Sequence, residues 1–287
     1  MQSTGSGGDT VDFAPTNLFY LTSLRCNERC TKCSHWKVRE HPTMVAAELV
    51  VEAVRSVVSA REFCIVGGEP LVYRERVLSI LRGLADVPVR TTIVTNGVLC
   101  RPEFVDQLRT LNVHLVFSID TLDRERWRWV RGTDSMDAVF QNVDYVRATL
   151  RPEQLSIQSV LAEETREDVA AVGRWCTERG IYHSIQHYVQ GGFNGSWTAI
   201  ATSSREPPSA TGSKIGPCMA ADRNLSIMPD GSVFTCFQQA LIPDSASPIG
   251  RLGDVPIGDM LRSAYTTTVL RRMRTCARPC KVLRCNQ

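Results

Sequence analysis

Between residues 17 and 189 the chain alternates strand-like and helix-like segments, and that alternation restricts the fold more than any other feature. Short apolar or β-branched runs at 17–23, 63–66, 89–95, 113–119, 155–161 and 181–189 read as strands. Helical spacing of apolar residues, or helix start and stop signals, mark 44–59, 75–85, 102–111, 136–150 and 166–178. Pro102 opens one helix in its first turn, and Gly180 stops another. Such alternation calls for α/β architecture, with a parallel sheet and right-handed crossovers. Six units fall short of a closed eight-stranded barrel, so a partial (β/α)6 barrel is expected.

The segment 191–216 breaks the pattern with Gly-Gly, Pro-Pro and many Ser and Thr residues, and reads as a linker or mobile loop. Beyond it, 225–228 and 232–237 flank Pro229-Asp230-Gly231 as a small hairpin, and a helix follows near 257–273. The expected organisation is a disordered tail at 1–14, the barrel at 15–190, the linker, and a small C-terminal domain at 217–287.

Composition bears on function at two points. A net charge of +3 gives no electrostatic reason to expect a nucleic-acid partner. No apolar run approaches the length of a membrane span, and residues 1–10 lack the apolar core of a secretory signal, so a cytoplasmic protein is expected. In that setting 11 cysteines should stay reduced, which argues against a disulfide framework. They are clustered: Cys26, Cys30 and Cys33 follow the first strand, and Cys218, Cys236, Cys276, Cys280 and Cys285 follow the linker. Three thiolates within eight residues can hold three corners of an iron–sulfur cubane and leave one iron open for chemistry. The alternative is a structural zinc site, with His35 as fourth ligand.

The Cys-x3-Cys-x2-Cys run of Cys26, Cys30 and Cys33 resembles the signature of the radical S-adenosylmethionine (SAM) superfamily. Gly67-Gly68-Glu69-Pro70, after the second strand, resembles that family's Gly-Gly-Glu-Pro motif, which lies against the amino group of SAM. Paired glycines admit a close approach to the backbone, and Glu69 offers an acceptor to an ammonium. The resemblance further implies Asn96, Ser118 and Gln158 as SAM contacts, with a turn or cap as the alternative for Ser118 and a neighbour pairing for Gln158. Lys32 departs from the aromatic residue usual before the third cysteine, which leaves Trp36 as a candidate for the adenine contact.

Cys218, twelve residues, Gly231, four residues and Cys236 resemble the start of SPASM and twitch domains, which hold auxiliary iron–sulfur clusters. The Asp230-Gly231 turn would bring Cys218 and Cys236 together, with Cys276 and Cys280 completing one site. A structural zinc knuckle is the alternative there. Two [4Fe–4S] clusters and SAM are therefore implied, with a flavodoxin- or ferredoxin-type reductant. Cys285 is then surplus and stands as a candidate hydrogen donor or alternative ligand.

Small twitch enzymes of this superfamily include aminoglycoside epimerases and dehydrogenases. The resemblance thus implies hydrogen abstraction from a carbinol C–H of an amino sugar or aminocyclitol in antibiotic biosynthesis, with epimerisation ahead of two-electron dehydrogenation. A peptide-modifying enzyme and a non-catalytic zinc or electron-transfer protein are the rivals. Among the other residues, Cys64, Cys176, Trp127 and Trp129 read as packing. Cys100 reads as lying near the active edge, and His183 and His187 as structural histidines sharing a strand face.

Overall fold

The computed structural model describes residues 13–37, 43–188, 218, 220–236 and 247–275. Most of the expected N-terminal tail, the linker at 191–216, and Cys276, Cys280 and Cys285 lie outside the described residues.

All six expected barrel strands form: β1 (Asn17–Leu21), β2 (Glu62–Val66), β3 (Arg90–Thr95), β4 (Val113–Ser118), β5 (Leu155–Leu161) and β6 (Tyr182–His187). They pair in parallel, each with its sequence neighbour, as the short crossovers require. The hairpin of β7 (Asn224–Ile227) and β8 (Ser232–Phe234) also forms, and β9 (Gly250–Arg251) pairs with β8. The sequence does not reveal that β7 adds to β1 as a seventh parallel strand, with Leu18 opposite Leu225 and Tyr20 opposite Ile227. The result is one sheet in the order β6-β5-β4-β3-β2-β1-β7-β8-β9.

Strand periodicity places the core. Leu18, Tyr20, Phe63, Ile65, Ile93, Leu115, Phe117 and Ile157 face the helices and are fully buried. They meet Val50 and Val54 of α1 (Ala47–Ser56), Val77, Leu78 and Leu81 of α2 (Arg74–Gly83), and Val143 and Val146 of α5 (Met136–Thr149). Full burial of each such side chain stabilises by roughly 1.5–3 kcal/mol. The alternate residues, among them Phe19, Cys64, Thr92, Ser118 and Gln158, face the other side and are only half-buried. Cys64 is therefore not the core residue the sequence suggested.

Three helical expectations change. The helix at 102–111 shortens to α3 (Pro102–Val105) and continues as a 3-10 turn over Asp106–Leu108. The helix near 257–273 is two helices, Ile257–Arg262 and Ala264–Arg274, because Ser263 is extended and its side chain caps Thr266 N. A further helix, α4 (Arg124–Arg131), lies in a stretch the sequence left unassigned. The last barrel helix, α6 (Arg166–Glu178), matches its expected bounds. No helix among the described residues is long and apolar enough to cross a membrane.

Candidate active site

The carboxyl ends of β1 and β2 build the first part of the site. Past β1 the chain runs against the Gly67-Gly68-Glu69 segment: Thr22 N donates to Val66 O at 2.9 Å, Gly68 N to Ser23 O at 2.8 Å and Glu69 N to Arg25 O at 2.7 Å. A Cβ on Gly67 would lie 2.5 Å from Ser23 O, and one on Gly68 2.1 Å from Arg25 O. The close approach these glycines permit is thus made by the chain's own backbone, and it fixes the segment that leads directly into Cys26.

Glu69 is fully buried. Its carboxylate accepts from Leu71 N at 2.9 Å, Thr95 Oγ1 at 2.8 Å and Asn96 N at 2.8 Å. These bonds tie the end of β2 to the end of β3. Asn96 then reaches the cysteine loop through Nδ2, at 2.8 Å from Asn27 Oδ1 and 3.8 Å from Cys26 Sγ.

Burial raises the Glu69 pKa to about 7, with the Asn96 and Leu71 N–H groups and the Thr95 hydroxyl pulling it back. This folded value lies above the ordinary 4.5. The associated stability is therefore full below about pH 4.5 and is lost as the pH rises through about 7. Glu69→Gln should remove this dependence, on the order of 3 kcal/mol across that window, read from urea unfolding at successive pH values. An unchanged slope in the variant would exclude Glu69 as its source.

The cysteine loop itself is held by buried charge. Glu28 and Lys32 are spacer residues of the Cys26–Cys33 motif, yet Glu28 is fully buried and the Lys32 side chain is only 13% exposed. Glu28 accepts from Ser135 Oγ at 2.6 Å, Thr133 Oγ1 at 3.2 Å and Arg131 Nη1 at 3.2 Å. Arg131, the last residue of α4, also donates through Nη2 to the carbonyl of Ser118 and lies 3.6 Å from Asp120. Asp120 pairs with Lys32 and accepts from Val160 N at 2.8 Å. Burial alone would raise the Asp120 pKa, but Lys32 and Arg131 hold it below the usual carboxylate range. Burial likewise opposes the charge of Arg131, and Glu28, Cys30 and Asp120 more than offset it. The backbone completes the dock, with Arg29 N on Arg131 O and Thr31 N on Val130 O, both at 3.0 Å. Glu28, Asp120 and Arg131 were not among the residues singled out from sequence.

Cys26, Cys30 and Cys33 are free thiols. Backbone N–H groups of Glu28 and His35 point at Cys26 Sγ and Cys33 Sγ, at 3.4 and 3.5 Å. Arg131 Nη1 lies 4.0 Å from Cys30 Sγ. Burial pushes the Cys26 thiol up to about 12 and the Cys30 thiol to about 11, so ligation of a metal at either releases a proton. Donors aimed at each sulfur suit metal-bound thiolates, and such hydrogen bonds are a standard determinant of iron–sulfur sites. Among the described residues, no group of three or more His, Cys, Asp or Glu closes around a single ion. A cubane takes one thiolate per iron and does not require that convergence. The donor set therefore fits a cluster.

Ser118 and Gln158 are opposite each other on β4 and β5, half-buried on the face turned from the helices. Trp36 Nε1 donates to Cys33 O at 2.9 Å and Cys30 O at 3.3 Å, so the indole braces the loop. Cys218 is buried in the main core, and Cys236 packs against it. Cys100, which the sequence places near the active edge, is fully buried, and its side chain joins the main core. His183 Nε2 bonds Ser159 Oγ at 2.8 Å on the helix side, a structural role, whereas His187 is exposed. Trp127 is buried, while Trp129 is 42% exposed under the guanidinium of Arg126.

A parallel α/β sheet with three thiols at the carboxyl end of its first strand, each facing an N–H donor, places the chain among open-sheet enzymes with an iron–sulfur site. The Radical SAM superfamily profile matches residues 20–176, more than half of the chain, and the protein belongs to that superfamily. Membership implies a [4Fe–4S] cluster and SAM.

Among curated relatives, the chain is 32% identical to a probable GTP 3',8-cyclase of Archaeoglobus fulgidus over 45% of this chain and 44% of that protein. It is also 32% identical to the GTP 3',8-cyclase of Ectopseudomonas mendocina over 55% of this chain and 49% of that protein. The chain thus spans about half the length of these relatives. The fold resembles Streptococcus suis SuiB bound to S-adenosylmethionine, with a TM-score of 0.75, 17% identity, and coverage of 91% of this chain and 68% of that one. It also resembles anSMEcpe with bound AdoMet (TM-score 0.67, 16% identity, 90% and 84% coverage). A structure of BtrN in complex with AdoMet and 2-DOIA gives a TM-score of 0.54 at 13% identity, with 92% and 89% coverage.

Proposed function

We propose that this enzyme abstracts hydrogen from a carbinol C–H of a small amino sugar or aminocyclitol, with epimerisation as the outcome and two-electron dehydrogenation as the nearest alternative. The observation that carries the radical step is the three-thiol loop, with each sulfur facing an N–H donor. When bound, the cluster and SAM supply reductive cleavage of a C–S bond and a carbon-centred oxidant for an unactivated C–H.

In this reading Cys26, Cys30 and Cys33 hold the cluster. Gly67, Gly68, Asn96, Ser118 and Gln158 line the SAM site, and Glu69 positions its edge through Leu71, Thr95 and Asn96. Cys218, Cys236, Cys276 and Cys280 hold a second [4Fe–4S] cluster in a twitch domain at 217–287, and Cys285 returns hydrogen to the substrate radical. Within that domain the Asp230-Gly231 turn is in place, with Ser232 N on Asp230 Oδ1 at 3.0 Å. Peptide modification is the rival substrate class: the fold resembles SuiB bound to precursor peptide SuiA (TM-score 0.72) and anSMEcpe with a bound peptide (0.66) as well as BtrN with 2-DOIA (0.54), and the product-mass test decides between them.

The test is product mass after anaerobic reconstitution with dithionite, SAM and a panel of aminocyclitols. Unchanged mass with inverted configuration supports epimerisation, and loss of two hydrogens supports dehydrogenation. The identity to GTP 3',8-cyclases favours a second reading, cyclisation of GTP, and GTP belongs in the same panel. Product from GTP alone would replace the amino-sugar reading.

A further inference from the structure

The charge buried beneath Cys30 does more than the loop's architecture requires. Glu28 Oε2 lies 3.8 Å from Cys30 Sγ. Once Cys30 is a metal-bound thiolate it has no proton to share, and a bare carboxylate at that distance repels it. Arg131 Nη1 reaches both groups, 3.2 Å from Glu28 and 4.0 Å from Cys30 Sγ. Arg131 and Glu28 are almost wholly withdrawn from solvent, so water screens neither charge. Nearby, Asp120 and Lys32 pair with each other, and the buried carboxyl of Glu69 also lies within electrostatic reach of Glu28 and Cys26.

We propose that the Arg131–Glu28 ion pair sets the reduction potential of the cluster at Cys26, Cys30 and Cys33, Arg131 raising it and Glu28 lowering it, both acting as positioning residues through Cys30. The inference rests on the radical SAM reading for the presence of the cluster, and on no particular substrate. Reduction adds one electron from an external donor such as dithionite and one negative charge to the cluster. A guanidinium close to a ligating sulfur favours the more negative, reduced state, and a carboxylate disfavours it. Opposite effects from two partners of one ion pair separate this role from a structural one. Loosening the loop by either route would disturb the cluster in the same direction.

The experiment is an EPR-monitored redox titration of the reconstituted full chain, with iron content measured alongside. Arg131→Gln should lower the midpoint and Glu28→Gln should raise it, each changing the reduced-to-oxidised ratio at fixed potential about tenfold, which is about 59 mV for a one-electron couple. Arg131→Lys, which keeps the charge, should return most of the shift. If Arg131→Gln fails to load iron, the double variant Arg131→Gln/Glu28→Gln removes the unpaired carboxylate and should titrate near the unmodified protein. A Glu28→Gln midpoint that is unchanged or lower overturns the proposal. So do shifts of the same sign in both single variants. Failure to incorporate iron in the unmodified protein would count against the radical SAM reading itself, a distinct result.

Discussion

Changing Cys26, Cys30 and Cys33 together to Ala is expected to abolish 5′-deoxyadenosine formation while leaving the fold intact. The three thiols sit on a loop outside the main core, which draws on β1–β5, β7, β8 and the helices packed against them. The loop's own anchors, the Glu28–Arg131 and Lys32–Asp120 pairs, survive the change. Only Cys30 is buried, and losing its sulfur costs on the order of 1 kcal/mol. Thermal unfolding should therefore shift by only a few degrees, ~4 °C at most. Iron should fall from about eight to about four atoms per chain if the later cysteines hold a second cubane. A value near zero or near eight would contradict two separate sites. Zinc in place of iron, with no brown colour on anaerobic reconstitution, would favour the structural-metal rival.

Much of this fold is legible in the sequence because parallel strands buried against helices need apolar residues at period two, and the crossovers leave room for whole helices. β5 and α6 fall at their expected bounds for that reason. Helix α4 is different. Its sequence, Arg-Glu-Arg-Trp-Arg-Trp-Val-Arg, buries only Trp127, Val130 and Arg131, and a buried arginine looks polar to any hydropathy pattern. Its ends did carry a signal. Asp123 caps Arg126 N at 2.8 Å, and Gly132 ends the helix in the left-handed conformation.

The site divides in the same way. The three cysteines and the Gly-Gly-Glu segment are local patterns. Glu28 and Arg131 are separated by 103 residues, and only the folded chain brings them together. The pairing of β7 with β1 was equally hidden, because Asn224–Ile227 is too short to indicate which strand it joins. Glu69 shows a third kind of limit. Its motif was readable, but its three donors come from Leu71, Thr95 and Asn96, two of them across the β2–β3 boundary.

Gly68→Ala should be the most damaging single methyl that can be added to the site. The new Cβ would meet Arg25 O at 2.1 Å, Arg25 C at 2.5 Å and Leu24 O at 2.6 Å. All three are backbone atoms, so no side chain can turn aside. The spacing is fixed from both ends by Gly68 N on Ser23 O and Glu69 N on Arg25 O. Relief requires Leu24 and Arg25 to move outward, which stretches both bonds and displaces Cys26, the next residue. Overpacking a site of this kind costs about 3 kcal/mol or more, and each stretched hydrogen bond adds about 1 kcal/mol. Gly180→Ala is the comparison. Gly180 has φ +63 with nothing within 4 Å of the new Cβ. Only backbone strain of about 1 kcal/mol is expected there. Urea midpoints and iron content on the two variants measure both effects. Gly68→Ala should lose several kcal/mol of stability, about 4, together with most of the iron held at Cys26, Cys30 and Cys33. Gly180→Ala should keep full iron content. A Gly68→Ala protein with unchanged stability and iron would mean that the β1–β2 ends can open without cost, and that the cysteine loop does not depend on their close approach.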